Sequence, residues 1–239
     1  MTKRAPNVAV VLSGCGYLDG AEIQESVSVL TRLGRLGATW HCFSPDIEQA
    51  HSVDHYTGEV EPRRQRIVMH EAARIARGAD HVSALGDLDA AQFDAMIIPG
   101  GFGVVRNLST FAVDGADCEV LPEMTRAFKM FHATAKPIGM CCIAPVLAAK
   151  ILGKAGGGTG CRITLGGENE AVAAARKMGA DVVPKGILDV SVDEANRLVC
   201  TPAYMLNATP WEVFQGVGKM VDTTLEMAAK GSAAKLKVH

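Results

Sequence analysis

The sequence predicts one α/β domain built on a mostly parallel sheet that helices cover on both faces. Buried strand-like runs alternate with segments that have helical apolar spacing, which is typical of such sheets. Three of the runs lead into turns rich in glycine or cysteine, at 13–16, 99–103 and 141–142. Because the ligand site of a parallel sheet lies at the carboxyl ends of its strands, we expect these turns to gather at one edge.

The first half of the chain alternates strands and helices. In order, we predict a strand over 7–12, a helix that opens at 19–22 and ends near Gly34 or Gly37, a strand over 38–43, a helix over 68–77 and a strand over 94–98. The spacing of Ile23, Val27, Leu30 and Leu33 indicates the first helix. A polar, histidine-containing stretch over 49–66 separates the second strand from the second helix.

The second half is less regular. We predict helices over 122–134, 146–152, 170–178 and 211–229, and strands over 137–141, 190–192 and 198–200, the last two joined by a turn over 193–197. The glycine-rich segment 155–160 is expected to be a flexible surface loop, and 231–239 a frayed basic tail. No linker divides the chain, so one domain over 1–239 with an ordered core over about 7–229 is expected.

Composition excludes several classes of function. The chain has 239 residues, a net charge of −2 and a pI near 6.4, which gives no electrostatic basis for binding nucleic acid or an anionic membrane. No apolar run is long enough to span a membrane, and no signal-peptide core is present. Seven cysteines without a CxxC spacing favour reduced thiols over a disulfide framework or a zinc site. A cytoplasmic protein without a metal is expected.

Cys142 is the candidate nucleophile. An apolar run leads into the thiol, which is followed by small residues, Pro145 and a helix, a pattern typical of a nucleophile elbow. A helix N-terminus would favour the thiolate. A buried cysteine that only packs is the alternative. Cys141 competes for the role, but with Cys142 as the cap residue Pro145 falls in the first helical turn, where proline is tolerated, so Cys142 is favoured.

Gly100 and Gly101 are candidate oxyanion donors. They follow a buried strand, and glycine lets backbone N–H groups approach a ligand closely. The N–H of Ile143 would be a further donor. A simple tight turn is the alternative. Gly14-Cys15-Gly16 only partly resembles a dinucleotide fingerprint, because Gly20 comes one position too late for the third glycine, and no cofactor is expected.

The acid–base partner of the thiol stays open at this point. Glu22 and Glu25 lie near the start of the first helix, where carboxylates usually interact with the helix dipole, yet one of them could face Cys142 and share its proton. Histidine offers little. After Cys142 the chain has only His239, in the tail, so a cysteine–histidine triad of the glutamine-amidohydrolase kind has no well-placed base.

Several motifs together resemble the DJ-1/PfpI superfamily and, within it, the ES1/ElbB branch of enhancing-lycopene-biosynthesis or isoprenoid-biosynthesis-like proteins. The resemblance runs from about Val8 to Met227. It is carried by 11–16 (VLSGCG), 20–25 (GAEIQE), 99–103 (PGGFG), 107–112 (NLSTFA), 142–145 (CIAP) and 201–205 (TPAYM).

The resemblance implies a flavodoxin-like three-layer sandwich, usually dimeric, with Cys142 as the elbow cysteine and Glu25 as its partner. It implies a cofactor-independent glyoxalase-type enzyme that turns glyoxal or methylglyoxal into a hydroxy acid. The motifs also give candidates for the substrate pocket, which are Gly14, Cys15, Phe102 and Asn107. The expected partner is a small 2-oxoaldehyde or a similar carbonyl compound. The location would be mitochondrial rather than cytoplasmic if the chain is a mature eukaryotic protein.

Two other functions compete with the glyoxalase. One is a redox-sensing or protective protein with weak catalysis, in which oxidation of Cys142 is the event. The other is a glutamine amidotransferase-like protein linked to isoprenoid metabolism, which the missing histidine disfavours.

Overall fold

A computed structural model describes residues 4–236, with side chains to residue 231. The strands are β1 (Asn7–Val11), β2 (Thr39–Ser44), β3 (Val82–Ala84), β4 (Ala95–Ile98), β5 (Ile138–Cys141), β6 (Arg162–Ile163), β7 (Asp181–Val182), β8 (Ser191–Asp193) and β9 (Leu198–Thr201). The helices are α1 (Ile23–Arg35), α2 (Val68–Ala76), α3 (Phe102–Arg106), α4 (Phe111–Asp114), α5 (Pro122–Ala133), α6 (Pro145–Leu152), α7 (Glu170–Lys177) and α8 (Pro210–Leu236).

A seven-stranded sheet runs through the centre of the fold in the order β3-β2-β1-β4-β5-β9-β8. All neighbouring strands are parallel except β8, which pairs antiparallel with β9. Strands β6 and β7 form a separate parallel pair. The predicted fold class, a flavodoxin-like α/β sandwich with a mostly parallel sheet, is confirmed. Strands β1, β4 and β5 are adjacent, so the three turns that follow them meet at one edge.

Two hydrophobic clusters cover the two faces of this sheet. In β4, Ala95 and Ile97 face the cluster that contains α1 and α8, whereas Met96 and Ile98 face the cluster that contains α5 and α6. This alternation follows from the two-residue period of a strand. Every residue of β4 is fully buried, as expected for a central parallel strand.

The buried face of α1 differs from the pattern of its apolar residues. Ile23 and Val27 are 45% and 48% exposed, while the polar residues Glu25, Ser26 and Ser28 are buried. The two serines can be buried because their hydroxyls donate to carbonyls of the same helix. Glu25 is buried for a different reason, which concerns the site described below.

Helix α8 is longer than the sequence predicts, since it continues through Gly231 to Leu236. The rest of the expected basic tail, 237–239, lies outside the described residues. The glycine-rich segment 155–160 does lie at the surface, beyond the C-terminal end of α6, and it begins with a short 3-10 turn over Lys154–Gly156. Cys142 precedes the other end of α6, a helix about 12 Å long. The segment and Cys142 therefore lie at opposite ends of α6.

No helix in residues 4–236 has the length and apolar character needed to cross a membrane.

Close packing of β5 against α8 depends on Gly139. A Cβ atom at this position would lie 2.6 Å from Met220 Sδ and 2.7 Å from Thr224 Oγ1, both on α8. We expect Gly139→Ala to lower the free energy of unfolding by about 1–3 kcal/mol through overpacking, measured by urea denaturation. Gly167→Ala is the matched control, because a Cβ there would have no heavy atom within 4 Å. Equal stability of the two variants would contradict this account of the β5–α8 contact.

Candidate active site

Cys142 lies in the turn between β5 and α6 with a left-handed backbone. Its φ is +57°, a conformation that non-glycine residues rarely adopt and that stores strain at functional sites. The Cys142 N–H donates to the carbonyl of Thr201 at the end of β9, at 3.1 Å, which holds the turn. Helix α6 begins at Pro145 with Ala144 as its cap. Cys142 therefore precedes the helix by three residues. The sequence had suggested Cys142 as the cap residue, whereas the structure gives this position to Ala144.

The left-handed turn places two neighbouring thiols on one face of the sheet. Met140 faces the α5–α6 cluster, and Cys141 faces the α1–α8 cluster, as alternation along β5 requires. A continuing strand would return Cys142 to the face of Met140. Instead, Cys142 joins Cys141 in the α1–α8 cluster. Both thiols consequently face helix α1.

Glu25 of α1 meets the two thiols. Its side chain is completely buried. Oε2 accepts a hydrogen bond from the Gly100 N–H at 2.9 Å and lies 3.6 Å from Cys141 Sγ, while Oε1 accepts from the Tyr204 N–H at 3.3 Å. The carboxyl also interacts with the thiol of Cys142. One carboxyl group thus joins α1 to the loops after β4 and β9 and to the end of β5.

Burial controls the protonation of this group. Desolvation, with a smaller contribution from Glu22, raises the pKa of Glu25 to about 7. Burial and the charge of Glu25 also raise the pKa of the Cys142 thiol, whereas the N–H groups of Gly101 and Ile143 oppose that rise. The expected preference for thiolate is therefore outweighed by desolvation. Because either anion disfavours the other, the pair holds a proton near neutral pH, on oxygen or on sulfur.

Glu22 has a different position from Glu25. It is the N-cap residue of α1, where its Oε2 accepts a hydrogen bond from the Glu25 N–H at 2.6 Å. A capping carboxylate satisfies one of the free N–H groups at the helix start and stabilises the helix. The same hydrogen bond also holds the backbone of Glu25 in position. Glu22 therefore has a structural role as a helix cap, whereas the carboxyl of Glu25 lies beside the thiols.

The loop after β4 approaches Cys142 very closely. A Cβ on Gly100 would lie 2.4 Å from Cys142 Cβ and 2.9 Å from its Sγ, so only glycine fits. The N–H of Gly100 is already engaged by Glu25, and in this arrangement it does not act as an oxyanion donor, contrary to the sequence interpretation. The N–H groups of Gly101 and Ile143 instead interact with the Cys142 sulfur. These two remain the candidate donors.

The four candidate pocket residues, Gly14, Cys15, Phe102 and Asn107, differ in their exposure to solvent and in their contacts. Cys15 is half-buried in the turn after β1, and Phe102 is 44% exposed, with Arg106 stacked over its ring. Gly14 packs against Gly20 and Gln49. Asn107 is buried, and its amide is fully engaged as described next.

Asn107 acts as a clamp between three backbone segments. Its Nδ2 donates to the carbonyls of Ser13 and Asp19, both at 2.9 Å, and its Oδ1 accepts from the Ala50 N–H at 3.0 Å. Both N–H groups and the oxygen of this amide therefore make hydrogen bonds within the fold, which gives Asn107 a structural role. Its place in the substrate pocket stays a prediction.

None of the described histidines is a partner of Cys142 or Glu25. His55, a possible base from the polar stretch, has Nε2 at 3.3 Å from the Leu18 N–H and Nδ1 at 3.2 Å from the Val53 carbonyl. Both ring nitrogens are therefore engaged by backbone. His132 contacts Asn196. Residue 239 lies outside the described part of the chain.

Sequence analysis missed the role of the loop after β9. Thr201 accepts the Cys142 N–H, Tyr204 donates its N–H to Glu25, and the Tyr204 hydroxyl contacts Gln24 of α1. Ala203 adopts a positive φ of +45°, which marks a constrained turn. The motif over 201–205 was the available signal, although backbone donors leave no trace in residue identity. Within the described residues, no group of three His, Cys, Asp or Glu side chains is arranged to hold a metal ion.

Comparison with known proteins matches this site to a family. Over 232 residues the chain is 45% identical to the ES1 protein homolog, mitochondrial, of Rattus norvegicus, covering 93% of this chain and 84% of the relative. The chain belongs to the ES1 protein family. It is also 44% identical over 235 residues to the human glutamine amidotransferase-like class 1 domain-containing protein 3, mitochondrial, covering 95% of this chain and 85% of that protein.

Solved structures agree with the family assignment. An isoprenoid biosynthesis protein with an amidotransferase-like domain from Ehrlichia chaffeensis has a TM-score of 0.85 and 33% identity, covering 93% of this chain and 99% of that chain. The glyoxalase III of Candida albicans has a TM-score of 0.55 at 14% identity over 93% of this chain and 97% of that chain, which shows the shared fold alone. No family model matches the chain.

The raised pKa of Glu25 predicts a pH-dependent stability. With a folded pKa of about 7 and an ordinary value of 4.5, the native state holds more protons than the unfolded state between those values, so stability falls as pH rises. Glu25→Gln removes this ionisation. The native sequence should lose stability between about pH 5 and pH 8, and the variant should not. We therefore expect the unfolding free energy of the variant minus that of the native sequence to rise by about 3 kcal/mol over this range. Urea denaturation across this range measures it.

Glu168→Gln is the control for this experiment. Glu168 is exposed, and its pKa is lowered by Arg176, so the stability it contributes is lost only as pH falls through its lowered pKa. Its difference from the native sequence should stay constant over the same range. If the difference in unfolding free energy between Glu25→Gln and the native sequence also stayed constant with pH, burial would not raise the pKa of Glu25, which would contradict the prediction.

Proposed function

We propose that this ES1-family protein is a cofactor-independent glyoxalase-type enzyme that converts a 2-oxoaldehyde to the 2-hydroxy acid. The observation that supports the proposal is the buried Glu25 carboxyl, with a pKa raised to about 7, against the thiol of Cys142. A carboxyl with this pKa both accepts and returns a proton near neutral pH. The isomerisation of a 2-oxoaldehyde needs a nucleophile and such a group on the same face of the substrate.

The first step joins the thiol to the aldehyde. Glu25 takes the proton of Cys142, and the sulfur attacks the aldehyde carbon, so that a C–S bond forms and the carbonyl π-bond becomes an oxyanion. The N–H groups of Gly101 and Ile143, which interact with the sulfur, are the candidate donors to this oxyanion. Glu25 then gives its proton to the oxyanion, which forms a hemithioacetal and restores the carboxylate.

The second step moves one proton between two carbons. The Glu25 carboxylate removes the hydrogen of the former aldehyde carbon and returns a proton to the neighbouring carbon by way of an enediol, while the proton of the hemithioacetal hydroxyl passes to the neighbouring oxygen. The product is a thioester of the 2-hydroxy acid. Water then attacks the thioester, the C–S bond breaks, and the acid leaves with the Cys142 thiol restored. The overall change is the addition of one water, which requires no oxidant and no cofactor.

The site supports this reaction better than glutamine hydrolysis. An amidohydrolase must protonate a leaving amine, which requires an acid on the side of the leaving nitrogen. No histidine among the described residues contacts Cys142 or Glu25, and Glu25 lies on the α1 side of the thiol. The fold shared with glyoxalase III of Candida albicans is compatible with the proposal. The amidotransferase-like names of relatives are consistent with a description of fold.

Turnover of methylglyoxal should depend on Glu25 far more than on Glu22. We expect Glu25→Gln to reduce the rate of hydroxy acid formation by about 10²- to 10⁴-fold, the usual contribution of a general acid–base group. Glu22→Gln keeps a side-chain oxygen for the helix cap and should retain most of the activity. Product formation by the purified variants, with Cys142→Ser as the inactive reference, measures both effects. Equal losses in the two glutamine variants would remove Glu25 from the proton-transfer role.

Glutamine should not be hydrolysed. The expected result is that ammonia release in the presence of glutamine is the same for the native protein and for Cys142→Ser, because the leaving nitrogen has no acid. Steady ammonia production that is abolished by Cys142→Ser would reverse the order of the two functions. His51 or His55 would then be tested as the base by substitution to Gln.

A further inference from the structure

The proposed reaction uses Cys142 and leaves the neighbouring thiol unexplained. Cys141 is fully buried, and its Sγ lies 3.6 Å from Glu25 Oε2, the same carboxyl that interacts with Cys142. A cysteine that only filled space would need no polar partner. Two free thiols thus converge on one carboxyl, brought to the same face of the sheet by the left-handed backbone of Cys142.

We propose that Cys141 is a resolving thiol, and that Cys141 and Cys142 form a reversible vicinal disulfide when a hydroperoxide oxidises Cys142. This would make the pair a modification site, independent of the turnover of any carbonyl substrate. The argument has three steps, which concern access, proton transfer and geometry.

Access directs the oxidant to Cys142. Cys142 is 8% exposed, whereas Cys141 has no exposed surface, so Cys142 is the more accessible of the two residues to a small hydroperoxide. Glu25 takes the proton of the Cys142 thiol and the sulfur attacks the peroxide. An S–O bond forms, the O–O bond breaks, and the leaving oxygen takes the proton from Glu25 and departs as an alcohol or water. The sulfur loses two electrons to the peroxide and becomes a sulfenic acid.

Proton transfer makes Cys141 the next nucleophile. Once Cys142 is a sulfenic acid, Glu25 no longer shares its proton with that thiol, and its Oε2 remains 3.6 Å from Cys141 Sγ. The carboxylate takes the proton of Cys141, and the resulting thiolate attacks the sulfur of Cys142. An S–S bond forms, the S–O bond breaks, and the leaving hydroxide is released as water with the proton from Glu25.

Geometry makes the resulting bond easy to reduce. The Cα atoms of neighbouring residues are about 3.8 Å apart, shorter than the range of about 4.4–6.8 Å usual for disulfides. Such a bond is strained, and strained disulfides are the labile and regulatory ones. The pair would therefore shield Cys142 from irreversible oxidation and return to two thiols under cellular reductants.

Treatment of the native protein with a small excess of hydrogen peroxide, followed by peptide mass spectrometry without reduction, tests the proposal. Cys141 and Cys142 fall in one tryptic peptide that ends at Lys150 and contains no other cysteine, so the disulfide appears as a loss of two hydrogens. Dithiothreitol should restore the original mass. Addition of two or three oxygens that fragmentation localises to Cys142 rather than to Met130 or Met140, with no loss of two hydrogens at any time, would overturn the proposal.

Substitutions identify the resolving thiol. Cys141→Ser, or Cys141→Ala if the first variant is unstable, should abolish the loss of two hydrogens and give irreversible sulfinic acid at Cys142. Cys15→Ser is the matched control, because Cys15 is the half-buried thiol that a peroxide also reaches, and it should leave the vicinal product unchanged. Loss of the product in Cys15→Ser would instead assign the disulfide to Cys15. Because the experiment measures the mass of a peptide, its result does not depend on whether methylglyoxal is a substrate.

Discussion

The burial of one carboxyl group is the constraint on which the edge of this sheet depends. Glu25 has no contact with solvent, and it is tolerated there because N–H groups from Gly100 and Tyr204 and the thiol of Cys141 supply its hydrogen bonds. These three partners come from three separate parts of the chain. Any shift of α1, of the loop after β4 or of the loop after β9 would leave a buried polar group unpaired, which costs more than the bond itself contributes.

A second constraint is the backbone of Cys142. Its left-handed turn is unfavourable for a residue with a side chain, and it is held by the carbonyl of Thr201 and by the close contact with Gly100. The same turn brings the thiol beside the carboxyl and beside the N–H groups of Gly101 and Ile143. Local strain and chemical arrangement therefore have one origin, the sharp change of direction between β5 and α6.

Periodicity predicts most of the fold, and its failures have physical causes. Strands β3, β6 and β7 have three residues or fewer, and α3 and α4 have five or fewer, too short for a repeating pattern. Buried Ser26 breaks the expected apolar face of α1 because its hydroxyl bonds to a carbonyl of the same helix, and buried Glu25 breaks it because distant N–H groups of Gly100 and Tyr204 satisfy its carboxyl. At the site, the sequence indicates Cys142 and the glycine pair. It does not indicate that the Gly100 N–H is used by Glu25, or that Asn107 is a clamp, since both depend on three-dimensional contacts.

The last helix has a consequence for the synthesis of the protein. Val29 and Leu33 of α1 pack with Val213 and Val217 of α8, and Arg32 pairs with Asp222. Helix α1, which carries the carboxyl partner of both thiols, thus lacks its contact with α8 until α8 has left the ribosome. During that interval the face of the sheet that carries Cys141 and Cys142 lacks the part of its apolar cover that α8 supplies. Products that stop before α8 would keep this apolar surface exposed, which favours aggregation.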